Sequence, residues 1–174
     1  VASEHRQEHS KTELKSGIDG LDKMLGGGID FGVSMLFIGP AGSGKSSLAT
    51  QYALSAAAEG YRTAYFTFDE RIETLVNRSE GIGQPVSKRI KEGLITIKPI
   101  DTAEVSAGEF THIIKQAAEG KDGHEPARVI IIDSLNGYLN AMPEEHFLTG
   151  QLHEIFTYLG HRNIITILVV AQHG

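Results

Sequence analysis

The chain has 174 residues, of which 40% are hydrophobic and 22% charged, with no cysteine and a net charge of −6. This composition fits one globular domain with a full core, and it excludes disulfides, thiolate metal sites and a cysteine nucleophile. The acidic balance disfavours a nucleic-acid partner, and the lack of a long apolar run or a secretory leader predicts a cytoplasmic protein without a membrane partner.

The first part of the chain divides into a tail and the start of a domain. Residues 1–15 are polar, with mixed charge and little apolar periodicity, which predicts a tail outside the fold. Residues 16–174 are expected to form the domain. Apolar residues at helical spacing over residues 18–25, followed by glycines at 26–28, predict a short helix that ends at the glycines.

Five β-prone segments then alternate with helical segments. The predicted strands cover residues 33–38, 62–68, 94–97, 129–133 and 164–170. Apolar residues recur at helical spacing between the strands, and Ser106 with Glu109 forms a capping box at one helix start. This alternation predicts an α/β fold of three layers, with a mostly parallel sheet covered by helices on both faces.

The most informative motif, at residues 39–46, matches G-x-x-x-x-G-K-[ST], the Walker A phosphate-binding loop. Its glycines let backbone N–H groups surround phosphate oxygens, Lys45 supplies charge for the β- and γ-phosphates, and Ser46 offers a hydroxyl to Mg²⁺. An apolar strand precedes the loop and a helix follows it, as this motif requires. The residues predicted to bind the nucleotide are Gly39, Ala41, Gly42, Ser43, Gly44, Lys45, Ser46 and Ser47.

Acidic residues follow two of the other strands. Asp133 follows four β-branched residues and is interpreted as the Walker B acid, which holds Mg²⁺ together with Ser46. Asp69 and Glu70 end the second strand, and one of them is predicted to polarise the attacking water. If the backbone stays extended, side chains alternate and both cannot point at the γ-phosphate; the longer reach of Glu70 favours it, and Asp69 stays open.

Gln172 follows the fifth strand, where a neutral amide could sense the γ-phosphate. The alternative is an ordinary surface residue near the end of the sequence. Since ligands of open α/β sheets bind at the carboxyl ends of the strands, we expect the phosphate loop, Asp69, Glu70, Asp133 and Gln172 to converge there.

Two further segments precede the phosphate loop: S-G-I-D-G-L-D at 16–22 and L-G-G-G-I at 25–29. Together with the loop, they resemble the start of a KaiC-type domain, a circadian-clock ATPase of the RecA superfamily. F-T-F-D-E at 66–70 is similar to the family's strand ending in two catalytic acids, with Asp in place of the usual first Glu, and residues 129–134 are similar to its Walker B strand. Residues 133–138 and 170–174 look most like bacterial KaiC-like ATPases outside the clock.

The resemblance covers roughly residues 12–174 and implies a RecA-like sheet. In that sheet the Gln172 strand lies between the phosphate-loop strand and the Asp133 strand. It further implies ATP and Mg²⁺ as ligands, Lys45 as a catalytic residue, and self-association in a hexameric ring with nucleotide at the subunit interfaces.

The sequence departs from the family by stopping after the fifth strand. Family members continue with further strands and a basic segment that reaches a neighbour's γ-phosphate. The resemblance thus implies a domain truncated at its C-terminal end, with the phosphate-loop strand at a sheet edge. The cation at the subunit interface would then be missing, and in related phosphoryl-transfer systems an arginine finger increases the rate by about 10³–10⁵-fold. We therefore expect this chain to bind nucleotide but to hydrolyse it slowly.

The leading hypothesis is an Mg²⁺-dependent ATPase module of a KaiC-like protein that couples nucleotide state to oligomer conformation, with protein regulators as further partners. One alternative is a RadA- or RecA-type DNA repair ATPase that binds single-stranded DNA. Another is a nucleotide-gated scaffold that does not hydrolyse ATP. The sequence does not distinguish ATP from GTP as the preferred nucleotide. Kinase activity cannot be argued, because the segment phosphorylated in the family's autokinases lies beyond residue 174.

Overall fold

The computed structural model describes residues 12–141 and 145–172, with side chains at 12–140 and 150–172. The strands are β1 (Glu13–Leu14), β2 (Ile29–Asp30), β3 (Ser34–Pro40), β4 (Arg62–Thr67), β5 (Ile95–Pro99), β6 (Ala127–Asp133) and β7 (Ile165–Gln172). The helices are α1 (Asp19–Met24), α2 (Lys45–Ala58), α3 (Ile72–Gly81), α4 (Val86–Lys91), α5 (Ala107–Glu119), α6 (Leu135–Ala141) and α7 (Glu145–His161). None of these described helices is long and apolar enough to cross a membrane.

The main sheet has five parallel strands in the order β3-β7-β6-β4-β5. β7 therefore lies between the phosphate-loop strand β3 and the Asp133 strand β6, which confirms the order that the resemblance implied. β3 is an edge of the described sheet, and its Leu36 and Ile38 side chains are 49% and 52% exposed. The predicted α/β architecture is thus confirmed, with the phosphate loop at an open edge.

Alternate residues of the central strands build two separate cores, one on each face of the sheet. Ile130 and Ile132 of β6 pack in a cluster with residues of α5, α6 and α7. Val129 and Ile131 of the same strand pack in a cluster with residues of α2, α3 and α4. Because both faces are covered, the strand is apolar at every position from 129 to 132 and its sequence shows no polar alternation.

The N-terminal segment departs from the prediction. Glu13 and Leu14, which were assigned to the tail, pair as β1 with β2 in an antiparallel ladder, and Leu14 is buried. The approach is close, since a Cβ at Gly28 would lie 2.6 Å from the Leu14 carbonyl oxygen. Ser55 of α2 also donates to the Lys15 carbonyl at 2.5 Å. The rest of the predicted tail, residues 1–11, lies outside the described residues.

Short elements were also missed. The sequence patterns predicted neither the antiparallel pair of β1 and β2 nor the helices α4 and α6, which have six and seven residues. β1 and β2 have two residues each, which is too short for a hydrophobic period. The capping box was predicted correctly: Ser106 Oγ accepts from the Glu109 N–H, and the Ser106 N–H donates to Glu109.

Candidate nucleotide-binding site

The phosphate loop turns between the end of β3 at Pro40 and the start of α2 at Lys45. Gly42 and Gly44 have φ angles of 77° and 90°, in the left-handed region that favours glycine. The first N–H groups of α2 have no carbonyl partner within the helix, because no helical turn precedes them. The loop therefore presents backbone donors and the positive end of a helix to the same space, which is an anion-binding arrangement.

A cavity of about 220 Å³ lies over this loop. It is lined by Gly42, Gly44, Lys45, Ser46, Ser47 and Arg78. Five of these residues were predicted from the motif, and Arg78 was not. Of the remaining predicted residues, Ala41 lies exposed in the turn.

Lys45 is held over its own loop. Its ammonium donates to the carbonyl oxygens of Gly39 and Pro40 at 2.8 and 2.6 Å and to Ser43 Oγ at 3.3 Å. All three acceptors are neutral oxygens within the loop, so a phosphate oxygen could replace them with a charged partner. Gly39 and Ser43 thus contribute to the site by holding the lysine.

Ser46 and Asp133 meet at the carboxyl end of the sheet. Ser46 Oγ donates to Asp133 Oδ2 at 2.5 Å, and the Tyr65 hydroxyl donates to the same oxygen at 2.5 Å. Burial, followed by the charge and the hydrogen bond of Asp133, raises the pKa of Tyr65 well above its ordinary value, so the hydroxyl remains a donor.

This pair of oxygens fits Mg²⁺, which prefers a carboxylate and a hydroxyl supplemented by water and substrate phosphates. Within the described residues, no group of three or more His, Cys, Asp or Glu side chains is placed to hold a metal by itself. A magnesium ion held by Ser46 and Asp133 would therefore depend on the nucleotide for further ligands. Sequence reasoning missed Tyr65, because its buried strand also contains Arg62, Thr63 and Thr67 and the tyrosine hydroxyl does not stand out among them.

The two acids after β4 have different partners. Asp69 Oδ2 accepts from Ser134 Oγ at 3.0 Å, on the side of the sheet where α6 begins. Glu70 instead forms an ion pair with Arg78 of α3, and Arg78 lines the phosphate-loop cavity. Glu70 is therefore linked to the cavity through its partner, whereas Asp69 is linked to the segment after β6.

Gln172 is the last residue of β7 and lies opposite Pro40 in the register of β3 and β7. Its backbone position is maintained by Asn136 of α6. The Asn136 amide donates to the Ala171 carbonyl at 3.0 Å, and its oxygen accepts from the Ala171 N–H at 2.8 Å. Asn136 thus ties the helix after Asp133 to the end of the Gln172 strand, a role that the sequence did not predict.

The phosphate loop lies at the edge of a parallel sheet, and β7 lies between β3 and the Asp133 strand β6. This arrangement defines the class of P-loop proteins with a RecA-like fold. The sequence model of the KaiC ATPase family matches residues 14–173. The chain therefore belongs to the KaiC family of ATPases, which confirms the resemblance drawn from its motifs.

Curated relatives that match the chain include KaiC and DNA repair proteins. The circadian clock oscillator protein KaiC of Parathermosynechococcus lividus is 29% identical over 141 residues, which cover 81% of this chain and 25% of that protein. The DNA repair and recombination protein RadB of Halobacterium salinarum is 27% identical over 130 residues, 73% of this chain and 50% of that protein. The DNA repair protein RadA of Brucella abortus is 36% identical over 74 residues, 42% of this chain and 16% of that protein. The chain thus spans about a quarter of the matched KaiC and half of RadB.

Proposed function

We propose that this chain is the Mg²⁺-dependent, ATP-binding and ATP-hydrolysing module of a KaiC-like protein, in which nucleotide state changes the conformation of a hexameric ring. The observation that carries the proposal is the hydrogen bond of Ser46 to Asp133 across the mouth of the phosphate loop. It brings the loop hydroxyl and the strand-end carboxylate together at the place where a triphosphate on the loop would need its metal.

Each residue has a distinct task in this proposal. The loop N–H groups and Lys45 bind the β- and γ-phosphates, and Lys45 exchanges loop carbonyls for phosphate oxygens. Ser46 and Asp133 hold Mg²⁺, which supplies positive charge to the phosphates when bound. Gln172, beside the loop strand, senses the γ-phosphate and transmits its loss through β7.

Glu70 is the acid that we assign to the attacking water. Its support is positional, since its ion-pair partner Arg78 lines the phosphate-loop cavity, while Asp69 is hydrogen-bonded to Ser134. We assign to Asp69 the role of fixing the segment that follows Asp133. A carboxylate that orients and polarises water is the usual catalytic element in such sites.

Steady-state hydrolysis with Mg²⁺ tests these assignments, with Glu70→Gln and Asp69→Asn as isosteric variants. We expect Glu70→Gln to lower kcat by about 10²-fold or more, the scale of general-base catalysis. Asp69→Asn is expected to lower it far less, provided that the fold is kept. If Asp69→Asn lowers kcat more than Glu70→Gln does, Asp69 is the general base. Measurable ATP binding without turnover in the wild type would favour a nucleotide-gated scaffold.

A DNA-binding repair ATPase is the second candidate, because RadB and RadA are among the relatives. The net charge of −6 counts against it, since non-specific DNA binding depends on phosphate neutralisation. Binding of a single-stranded oligonucleotide that weakens steeply with salt would support this candidate. Ring formation is tested separately by light scattering with and without Mg-ATP.

A further inference from the structure

Arg78 connects the assigned water-activating acid with the phosphate loop. Of the two terminal nitrogens of its guanidinium, Nη1 donates to Glu70, whereas Nη2 is buried and has no hydrogen-bond partner among the described residues. The side chain as a whole is 37% exposed and lines the phosphate-loop cavity with Lys45 and Ser46. An unpaired buried N–H group is unfavourable, so the pairing with Glu70 leaves the guanidinium incompletely satisfied, whereas a phosphate with several acceptor oxygens could engage both arms of the fork.

The position of Arg78 is fixed by the packing of α3. Leu75, one turn earlier, is buried in the core cluster shared with α2. Beyond the helix, Gln84 Nε2 donates to the Ser47 carbonyl at 2.9 Å, which ties the segment after α3 to the first turn of α2. The end of α3 is therefore docked beside the phosphate loop.

The electrostatic surroundings of Arg78 favour its charged form. Burial opposes the charge, but the hydrogen bond and the charge of Glu70 outweigh it, with smaller contributions from Tyr65 and Asp133, and raise the pKa of Arg78. Arg78 thus stays a cation within electrostatic reach of the pair of oxygens assigned to Mg²⁺. Its charge is offset mainly by Glu70, the residue that must be free to polarise water.

We propose that Arg78 is a latch that exchanges partners: it pairs with Glu70 in the nucleotide-free protein and with the terminal phosphate of a bound nucleoside triphosphate. The exchange releases the Glu70 carboxylate toward the attacking water only when a triphosphate is present. A diphosphate lacks the anion that would draw Arg78 away, so Glu70 stays paired. This inference rests on the proposed function and adds a residue and a gating step to it.

Binding of AMP-PNP and ADP with Mg²⁺ tests the exchange. Arg78→Ala is expected to weaken AMP-PNP binding by about tenfold or more, the scale of one charge-assisted hydrogen bond. ADP binding should change by less than about twofold. Arg78→Lys should recover part of the lost AMP-PNP affinity, because the lysine ammonium can still pair with either Glu70 or the terminal phosphate. Equal weakening for both nucleotides, or none for either, would overturn the proposal.

A double-mutant cycle with Glu70→Gln separates the latch from simple repulsion. If Arg78 must leave Glu70 to bind phosphate, Glu70→Gln tightens AMP-PNP binding more when Arg78 is present than in the Arg78→Ala background. If Glu70 only repels the phosphates, the tightening is equal or larger without Arg78. The second result contradicts the latch.

The matched control is Arg89→Ala, which removes an ion pair with Glu92 from the neighbouring helix α4. It should leave both affinities unchanged. If Arg78→Ala unfolds, Arg78→Gln carries the same test because it keeps most of the side-chain length without the charge. Absence of nucleotide binding in the folded wild type would refute the proposed function. If the wild type binds nucleotide and Lys45→Ala does not, the proposed function stands. An unchanged preference for AMP-PNP over ADP in Arg78→Ala would then refute the latch alone.

Discussion

Ser46 and Asp133 lie 87 positions apart in the chain, yet the Ser46 hydroxyl donates to Asp133 Oδ2 at 2.5 Å. The contact follows from the topology, since β6 and the loop before α2 both open at the carboxyl edge of one parallel sheet, with β7 between β6 and β3. It joins the two motifs that the sequence analysis proposed as magnesium ligands.

The first prediction concerns magnesium dependence. Asp133→Asn keeps the shape of the side chain and removes its charge, so we expect ATP affinity in the presence of Mg²⁺ to fall by about tenfold or more. With EDTA, affinity should be unchanged or slightly higher, because the carboxylate no longer repels the phosphates. Asp101→Asn is the control, because Asp101 lies after β5 and its carboxylate accepts from the Ala103 N–H. An unaltered magnesium dependence in Asp133→Asn would remove Asp133 from the metal site.

The second prediction concerns Tyr65, whose hydroxyl donates to Asp133 from a buried position. Tyr65→Phe removes a hydrogen bond to a charged group, so we expect the free energy of unfolding to fall by about 1.5–3 kcal/mol in urea titrations. Tyr61 lies away from the nucleotide site, and its ring packs against Phe31. Tyr61→Phe should therefore lower the free energy of unfolding by less. Equal stabilities of wild type and Tyr65→Phe would show that this bond contributes nothing.

The third prediction concerns Asn136, which pairs with both backbone groups of Ala171. Asn136→Ala leaves that N–H and carbonyl without their partner, and we expect a loss of about 1–3 kcal/mol in unfolding free energy. Because the same bonds hold the backbone next to Gln172, hydrogen exchange at the end of β7 should also accelerate. Asn77→Ala, an exposed position on α3, is the control. Unchanged exchange at Ala171 in Asn136→Ala would contradict this role.

The fourth prediction concerns acid stability. Hydrogen bonds from Lys121 and Tyr158 lower the pKa of Glu119 to about 2 from its ordinary 4.5. A pKa that is lower in the folded state gives a stabilisation that is complete above the unfolded value and lost as pH falls through the folded one. The stability difference between wild type and Glu119→Gln should therefore be constant above about pH 5 and shrink toward pH 2.

Urea midpoints between pH 2 and pH 6 measure this difference, with Glu154→Gln, an exposed residue of α7, as the control. A difference that stays constant down to pH 2 would show that Glu119 is not stabilised as a carboxylate.

Local patterns were sufficient for the strands and for the phosphate loop. β-prone runs of four or more residues and the G-x-x-x-x-G-K-[ST] spacing are encoded in contiguous residues, and all five strands of the main sheet lie close to their predicted positions. The order of those strands is not local information, and it came from the family resemblance. Asp69 and Glu70 lie beyond the end of β4 at Thr67, so strand alternation does not apply to them, and their different partners, Ser134 and Arg78, depend on how neighbouring segments pack.

The contacts around the site could not be predicted because they depend on how elements pack. Tyr65 reaches Asp133 only because β4 and β6 are neighbours in register. Arg78 reaches the phosphate loop only because α3 docks beside α2. Neither residue belongs to a motif, and a lone tyrosine in a strand or arginine in a helix is ordinarily structural. The two-residue strands β1 and β2 are stabilised by pairing with each other, so neither half has a signal alone.

Calorimetric titration tests most directly whether this chain binds Mg-ATP at the phosphate loop. Wild type, Lys45→Ala and Lys88→Ala are compared, the last being an exposed lysine on α4. We expect saturable binding by the wild type and Lys88→Ala, with affinity at least about tenfold lower in Lys45→Ala, which loses a charge-assisted contact to the phosphates. A folded wild type that does not bind Mg-ATP, or equal binding by Lys45→Ala, would contradict the account.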